Sequence, residues 1–167
     1  MIDERVGRPV EQPGHVRVHF DLQVDDGWPP VGAESMWAIP SPEPDLVALD
    51  NIPWFVRGLA IGDVVRVSAD SEGLLRMTEL VAWSGNCTIR VIPFRSGPLE
   101  GNLQRVLDSF EPLGANGEGL QQFGIVALNA PPTADISGMK QLLQQGEAAE
   151  WWTYEEGCIG DTWEAAG

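Results

Sequence analysis

The sequence predicts an α+β protein, with a small N-terminal antiparallel β-barrel packed on a C-terminal ferredoxin-like (βαββαβ) sandwich. Two observations predict this fold. Five short apolar runs in the first half are separated by glycine, proline and acidic residues, which is typical of small closed sheets. The second half combines strand patterns with two amphipathic helical patterns. We expect a flexible tail over residues 1–14, the barrel over 15–85, the ferredoxin-like domain over 86–160 and a tail over 161–167.

The strands of the first half are predicted from alternation and turn residues. Apolar and polar residues alternate without interruption over residues 16–24, which indicates a strand with one wet face. The Asp-Asp-Gly-Trp-Pro-Pro segment at 25–30 ends this strand, because proline cannot donate to a ladder. Further strands are predicted at 34–39, 46–49, 64–69 and 74–82, with a hairpin turn at 70–73.

The second half is predicted to run strand, helix, strand, strand, helix, strand. The first helix is expected to begin at Ser96-Gly97-Pro98, because proline suits a first turn. Gly146 is expected to cap the second helix, which follows Pro131 and Pro132. Strands are predicted at 87–94, 119–122, 123–129 and 151–156, with a loop at 114–119.

The charge balance limits the classes of partner. The chain carries 25 acidic and 10 basic residues, for a formal net charge of -15. Such a surface repels phosphate backbones, so we expect no direct nucleic-acid binding. The acidity either keeps the protein soluble or imitates nucleic acid toward a basic partner. No apolar run approaches the roughly 18 residues of a membrane span, and residues 1–14 lack the apolar core of a signal peptide. We therefore expect a cytoplasmic protein with no membrane association.

Metal and cofactor sites are not indicated. The two cysteines, Cys87 and Cys158, and the two histidines lack metal-ligand spacing. In a reducing compartment the cysteines are expected to be free, buried thiols. The glycine-rich segment 114–119 follows a helix and lacks a basic partner, so it does not predict a phosphate site. We expect no metal and no cofactor.

Residues 50–67 contain the densest mixture of polar and apolar side chains. Asn51, Arg57 and Asp63 occur there among Trp54 and other apolar residues. An arginine in such surroundings must find acceptors or reach water, because a buried unpaired charge is costly. Arg57 either clamps turn carbonyls or a carboxylate such as Asp63 or Glu34, or it meets an anionic group of a ligand.

Seven tryptophans are many for 167 residues. Several lie near predicted turns, where aromatic residues line pockets or anchor interfaces. Trp151 and Trp152 are adjacent on a predicted strand, so they should point to opposite faces, with at most one in the core. The candidate ligand- or partner-binding residues are Asp26, Trp28, Glu34, Trp37, Asn51, Trp54, Arg57 and Trp152.

Several motifs together resemble a known family. They are the segments 25–30, 34–38, 50–67, 84–91 and 154–158. In combination they resemble the uncharacterised bacterial family called domain of unknown function 4265, over His15 to Ile159. The resemblance implies kinship and supplies no activity or catalytic residue. Cys87 stands where the resemblance implies a small hydroxylated residue, which argues against a required thiol at that position.

These observations favour a small acidic binding or interaction protein without catalysis, of an accessory or immunity-like kind. Its partner would be a protein or peptide, possibly basic, or a small polar ligand. The alternative is a small enzyme with a site between the two domains, acting on a peptide or small polar substrate. It would use Asp26 or Glu34 with Arg57, or Cys158 with a histidine. The catalytic residues are unknown, and a homo-oligomer is a further hypothesis.

Overall fold

A computed structural model describes residues 14–167 and shows a mixed α+β protein with mostly antiparallel sheets. Residues 1–13, most of the predicted N-terminal tail, lie outside the described residues. The chain divides into two compact units, Met1–Ser84 and Gly85–Gly167. No helix in the described part of the chain is long and apolar enough to cross a membrane.

Unit 1 contains five strands that pair in ring order. They are β1 (Val16–Asp21), β2 (Ala33–Pro40), β3 (Leu46–Leu49), β4 (Val64–Ala69) and β5 (Leu75–Ala82). Consecutive strands are antiparallel, and β5 returns to β1 through the parallel pair Val18 and Leu75. All five strands occur where the sequence predicts them. β1 ends before residue 24 because Asp25 and Trp28 bond to each other through their main chains, at 2.9 and 3.1 Å.

Alternation along the strands fills the interior of unit 1. Val65 and Val67 of β4 are buried, whereas Arg66 between them pairs with Glu79 outside, with its Nε 2.7 Å from Oε1. The buried cluster is completed by residues from the other strands and from the segment before β4. It consists of Val18, Met36, Ala38, Val47, Leu49, Val56, Leu59, Val65 and Val67.

The predicted hairpin turn between β4 and β5 is confirmed. The Gly73 N–H donates to the Asp70 carbonyl at 3.0 Å, and Gly73 has a φ of 83°. The Asp70 carboxylate accepts the main-chain N–H groups of Glu72 and Leu74. Arg76 bonds the same carboxylate at 2.9 Å, which lowers the pKa of Asp70 below its ordinary value.

Unit 2 is a four-stranded antiparallel sheet with helices. Along the chain it contains β6 (Cys87–Pro93), α1 (Leu103–Phe110), β7 (Asn116–Leu120), β8 (Ile125–Ala130), α2 (Ile136–Ala148), β9 (Trp152–Cys158) and α3 (Asp161–Ala165). The strand order in the sheet is β7-β8-β6-β9. A single core packs apolar residues of β6, β8 and β9 against α1 and α2, including Ile89, Leu128, Val106, Met139 and Leu143.

Helix α1 begins five residues after Pro98, so the predicted start at Ser96-Gly97-Pro98 is wrong. Glu100 and Gly101 have φ values of 54° and 69°, which a right-handed helix cannot contain. The helix is instead capped by Asn102, whose side chain accepts the Arg105 N–H at 3.1 Å. Leu99 is still buried, although it lies before the helix.

The predicted loop at 114–119 is wrong for most of its length, because β7 begins at Asn116. Its glycines allow α1 to lie close to the strand. A Cβ on Gly117 would sit 3.2 Å from Leu107 of α1 and 2.5 Å from the Ala127 carbonyl oxygen of β8, and one on Gly119 would sit 3.1 Å from Leu103 of α1. Glycine therefore serves close packing here. The turn falls at residues 121–124, where a strand was predicted.

Gly146 lies inside α2, which ends at Ala148, so its predicted role as a cap is wrong. A Cβ at Gly146 would be 2.2 Å from the Trp152 ring. The Trp152 indole also donates to the Leu143 carbonyl at 3.1 Å. The glycine makes room for a fully buried tryptophan whose N–H is satisfied by the helix.

The predicted tail at 161–167 contains helix α3. Its Trp163 is buried, and the Trp163 indole donates to the Glu156 carboxylate. Lys140, the one lysine of the chain, donates to the Trp163 and Ala166 carbonyls at 2.8 and 2.7 Å. A cation at the carbonyl end of a helix is favourable, so these contacts attach α3 to α2.

Gly146→Ala should destabilise the protein, although alanine normally favours a helix interior over glycine. The added methyl would overlap the Trp152 ring, and overpacking of this kind costs about 1–3 kcal/mol. Urea unfolding followed by circular dichroism measures the loss. Gln144→Ala, an exposed position on α2, is the control and should leave stability nearly unchanged. Increased stability of Gly146→Ala would contradict the packing described here.

Candidate functional site

Glu34 is the central polar group of the predicted site, and the fold uses it to hold the main chain. It lies on β2 and is fully buried. One carboxylate oxygen accepts the Trp54 N–H at 2.6 Å, and the other accepts the Phe55 and Val56 N–H groups at 2.8 and 2.9 Å. Three successive amides thus surround one carboxylate, an arrangement that stabilises its negative charge.

Asn51 has a similar role near the start of residues 50–63, the segment between β3 and β4 that contains the three amides bound by Glu34. Its side-chain oxygen accepts the Trp37 N–H at 2.7 Å, and its side-chain nitrogen donates to the Ile52 carbonyl at 3.2 Å. The Asp50 N–H donates to the Trp37 carbonyl at 2.8 Å. Asn51 therefore joins the segment to β2 where the regular ladder stops.

Asp63 closes the other end of the segment. It is fully buried, and its two oxygens accept the Ala60 N–H at 2.9 Å and the Ser84 N–H at 2.8 Å. Residues 50–63 contain no strand, so their amides need other acceptors. Glu34, Asn51 and Asp63 supply them, which favours the structural interpretation of this cluster.

Arg57 lies exposed at the surface, next to Gly58 with its φ of 79°. The sequence required the guanidinium group either to find acceptors or to reach water. The exposed side chain of Arg57 reaches water, while its apolar neighbours Phe55, Val56 and Leu59 are buried. Trp54 is buried, at 3% exposure, and its indole nitrogen has no hydrogen-bond partner among the described residues.

The other predicted site residues of unit 1 are Asp26, Trp28 and Trp37, which differ in exposure. Asp26 is exposed in a turn with a φ of 54°, and the half-buried Trp28 contacts the Phe55 ring edge-on at 5.7 Å. Trp37 is buried, with the Arg17 guanidinium group 5.8 Å from its ring centre. The fold thus brings Trp28 to the segment that Glu34 holds.

Trp152 belongs to the core of unit 2 and is 1% exposed, so it presents no surface to a partner. Its neighbour Trp151 is half-buried and packs its ring edge-on at 5.6 Å. The prediction of opposite faces is wrong, because Trp151 packs against the same core cluster that contains Trp152.

Sequence reasoning missed a buried ion pair on the sheet of unit 2. Arg90 of β6 is 1% exposed, and its Nε lies 2.6 Å from the Glu155 carboxylate. A Cβ at Gly157 would be 2.7 Å from the guanidinium carbon, so glycine provides its space. The feature of the sequence that could have indicated this ion pair is the single arginine, Arg90, within the apolar run of β6. Glu155 and the next residue, Glu156, each have a side-chain partner, which is Arg90 for Glu155 and Trp163 for Glu156.

Two adjoining clefts of unit 2 were also missed. The larger has a volume of about 520 Å³ and the smaller about 190 Å³, and Gly101 and Gln121 line both. The larger is lined by Glu100, Gly101, Asn102, Leu103, Gln104, Leu107, Gly119 and Gln121. The smaller adds the aromatic rings of Phe94 and Phe123, with Arg95. The glycines of the segment 114–119 were the feature of the sequence that could have indicated a cleft here.

The environment of Cys87 is unfavourable for nucleophilic attack. Cys87 and Cys158 are both free and buried. Burial raises the pKa of the Cys87 thiol, and the nearby Glu156 carboxylate raises it further, although a hydrogen bond from the Gly160 N–H opposes the shift. Among residues 14–167, no group of three potential ligands could hold a metal ion.

The predicted family is confirmed, since the model of the family described as domain of unknown function 4265 matches residues 34–154. The chain belongs to this family. A crystal structure of a hypothetical protein from Neisseria gonorrhoeae is similar to it, with a TM-score of 0.66 and 21% sequence identity. The match covers 90% of this chain and 97% of that chain, and it concerns the fold alone. No curated protein matches the chain.

Glu34→Gln should destabilise unit 1 by about 2 kcal/mol, because the amide NH₂ would face a main-chain N–H and leave it unsatisfied. Urea unfolding measures the change. Glu79→Gln is the matched control, since Glu79 is exposed and pairs with an exposed arginine, so it should lose little stability. Equal losses in the two variants would contradict the role of Glu34.

Cys87 should resist iodoacetamide in the native protein near neutral pH. A raised pKa lowers the thiolate fraction there, and reactivity should appear only as pH rises above the ordinary thiol value of about 8.5. Mass spectrometry of digested protein reports labelling at each cysteine, and a urea-unfolded sample is the control. Equally rapid labelling of Cys87 in the native and unfolded samples would contradict this expectation.

Proposed function

We propose that the protein is a small acidic binding or interaction protein without catalysis, of an accessory or immunity-like kind. The observation that carries the proposal is the lining of the 520 Å³ cleft. Its side chains are amides, leucines and one carboxylate, with no histidine, cysteine, serine, lysine or arginine. Side chains of this kind suit recognition through hydrogen bonds and apolar contact more than acid–base or nucleophilic chemistry.

The contacts around residues 50–63 also support binding over catalysis. Glu34 was a candidate acid or base, but its two oxygens accept three main-chain N–H groups. Asp26 lies exposed on a turn, where a carboxyl group keeps ordinary solvation. The alternative function is an enzyme that acts on a peptide or small polar substrate. Among these residues it would therefore have no buried carboxylate available as a general acid or base.

We propose that the partner is a protein or peptide with a positive charge. Acidic residues outnumber basic ones by 25 to 10, and complementary charge both speeds association and selects among partners. The same imbalance opposes direct nucleic-acid binding. The two free thiols fit a reducing compartment, so we propose that the protein acts in the cytoplasm.

Self-association is a second interaction that the surface supports. Leu80, Val81 and Trp83, at the end of β5, are 41%, 43% and 44% exposed. Ile39 of β2 is 46% exposed and begins an apolar cross-strand row that continues through Ala48, Val64 and Ala82. Exposed apolar surface of this kind marks interaction sites.

The proposed fold class follows from the strand orders. The ring of β1 to β5, with its closing pair Val18 and Leu75, supports a small β-barrel. The chain order β6-α1-β7-β8-α2-β9 and the sheet order β7-β8-β6-β9 support a ferredoxin-like sandwich.

Binding of model peptides tests the proposed function. Three peptides with the same leucine positions carry lysine, glutamate or serine between them, and calorimetry measures their affinity for the full chain. The lysine peptide should bind at least about tenfold more tightly than the others and should weaken strongly at high salt. Mass spectrometry of the incubated peptides should find no product. Equal affinities, or protein-dependent turnover, would overturn the proposal.

A further inference from the structure

β7 is a terminal strand with a regular, open edge. In the described part of the chain it pairs with β8 alone, through five consecutive residue pairs without a register shift. The opposite terminal strand, β9, has a register shift in its pairing with β6. Such irregularities protect strand edges from further pairing. β7 has no such irregularity, and its sequence contains no proline or lysine.

The 520 Å³ cleft adjoins this edge and has an apolar wall. Gly117 and Gly119 bring α1 so close that their missing side chains would contact Leu107 and Leu103. Leu103, Leu107 and Gly119 all line the cleft. A groove between an edge strand and a helix is the geometry in which extended peptides bind as added strands.

Acidic side chains lie in the cleft and on the opposite face of β7, whereas Arg95 lines the adjoining smaller cleft. Glu100 lines the cleft, and Gln104 on its wall bonds Asp108 at 2.9 Å. Glu118 projects from β7 between the two glycines and is exposed. Arg105, on the same helix, donates to the Pro98 carbonyl at 3.1 Å and does not line the cleft.

We propose that the groove between α1 and β7 binds an extended cationic peptide segment of a partner protein, which adds to β7 as a fifth strand. Side chains of a strand alternate between the two faces. Those on the helix side of the added strand contact Leu103 and Leu107 and are apolar. Those on the other side lie beside Glu118 and are lysine or arginine. This inference rests on the proposed function and names its site and ligand class.

The test uses four acetylated, amidated peptides and the full chain. The first is Lys-Leu-Lys-Val-Lys-Leu-Lys, which has the required alternation. The second has the same composition in two blocks. The third and fourth are the alternating peptide with N-methyl groups on the amides of the even positions or of the odd positions. The alternating peptide should bind at least about tenfold more tightly than the block peptide. One N-methylated form should lose binding and the other should keep it, because the two sets of amides face opposite edges.

Site-resolved measurements locate the binding. Hydrogen exchange should show new amide protection at residues 116–120 on peptide addition. Glu118→Lys should weaken the alternating peptide by about tenfold, whereas Glu72→Lys, the same change on an exposed turn of unit 1, should alter its affinity by less than about twofold. Leu107→Ser removes apolar contact in the groove and should weaken binding without reversing a charge.

The outcomes separate the two proposals. Equal binding of the alternating and block peptides, with equal effects of Glu118→Lys and Glu72→Lys, would overturn the groove while leaving an acidic peptide-binding protein. Failure of every lysine peptide to bind would overturn the proposed function itself. Protection of residues 116–120 without peptide, in a chain that sediments as a dimer, would assign the edge to a second copy and overturn the peptide site.

Discussion

The structure of unit 1 depends on one buried carboxylate that binds three main-chain amides. Residues 50–63 follow no regular ladder, yet most of them are buried, so their N–H groups must be satisfied away from water. Glu34 satisfies three of them from a neighbouring strand, and Asn51 and Asp63 hold the two ends. The polar groups that attract attention in the sequence thus replace missing secondary structure. This use of charge leaves few of them available for chemistry.

Unit 2 depends on a different constraint, the close approach of elements where glycine replaces a side chain. Gly117 and Gly119 admit α1 to β7, Gly146 admits Trp152 to α2, and Gly157 admits the Arg90 guanidinium group. An added Cβ would overlap the Trp152 ring at Gly146 and the Arg90 guanidinium group at Gly157, and it would make a tight contact with α1 at Gly117 and Gly119. Close packing at β7 also shapes the groove beside its open edge. The same glycines therefore link the stability of this unit to the surface at which we propose that it binds.

The proposed function rests on two physical properties. One is the net negative charge of the chain, and the other is the lining of the larger cleft, which has no histidine, cysteine, serine, lysine or arginine. A cleft lined by amides, leucines and one carboxylate can recognise a peptide through hydrogen bonds and apolar contact. We propose that the excess of negative charge acts at longer range and selects cationic segments. Family membership and the similar crystal structure establish kinship and fold, so the chemistry of the surface carries the functional argument.

The sequence by itself determined the five strands of unit 1, the family and the α+β class. Alternation and turn residues act within a few positions, so β3 and β4 were predicted at their observed bounds. The tertiary structure alone decided the role of Gly146, the start of β7 and the partners of Glu34. Each depends on contact with another element: the Trp152 ring, helix α1, or a row of amides about twenty residues away. From local preferences alone, a glycine-rich segment is predicted to be a loop and a glutamate is predicted to lie at the surface. These preferences carry no information about the residues that contact each side chain in the folded protein.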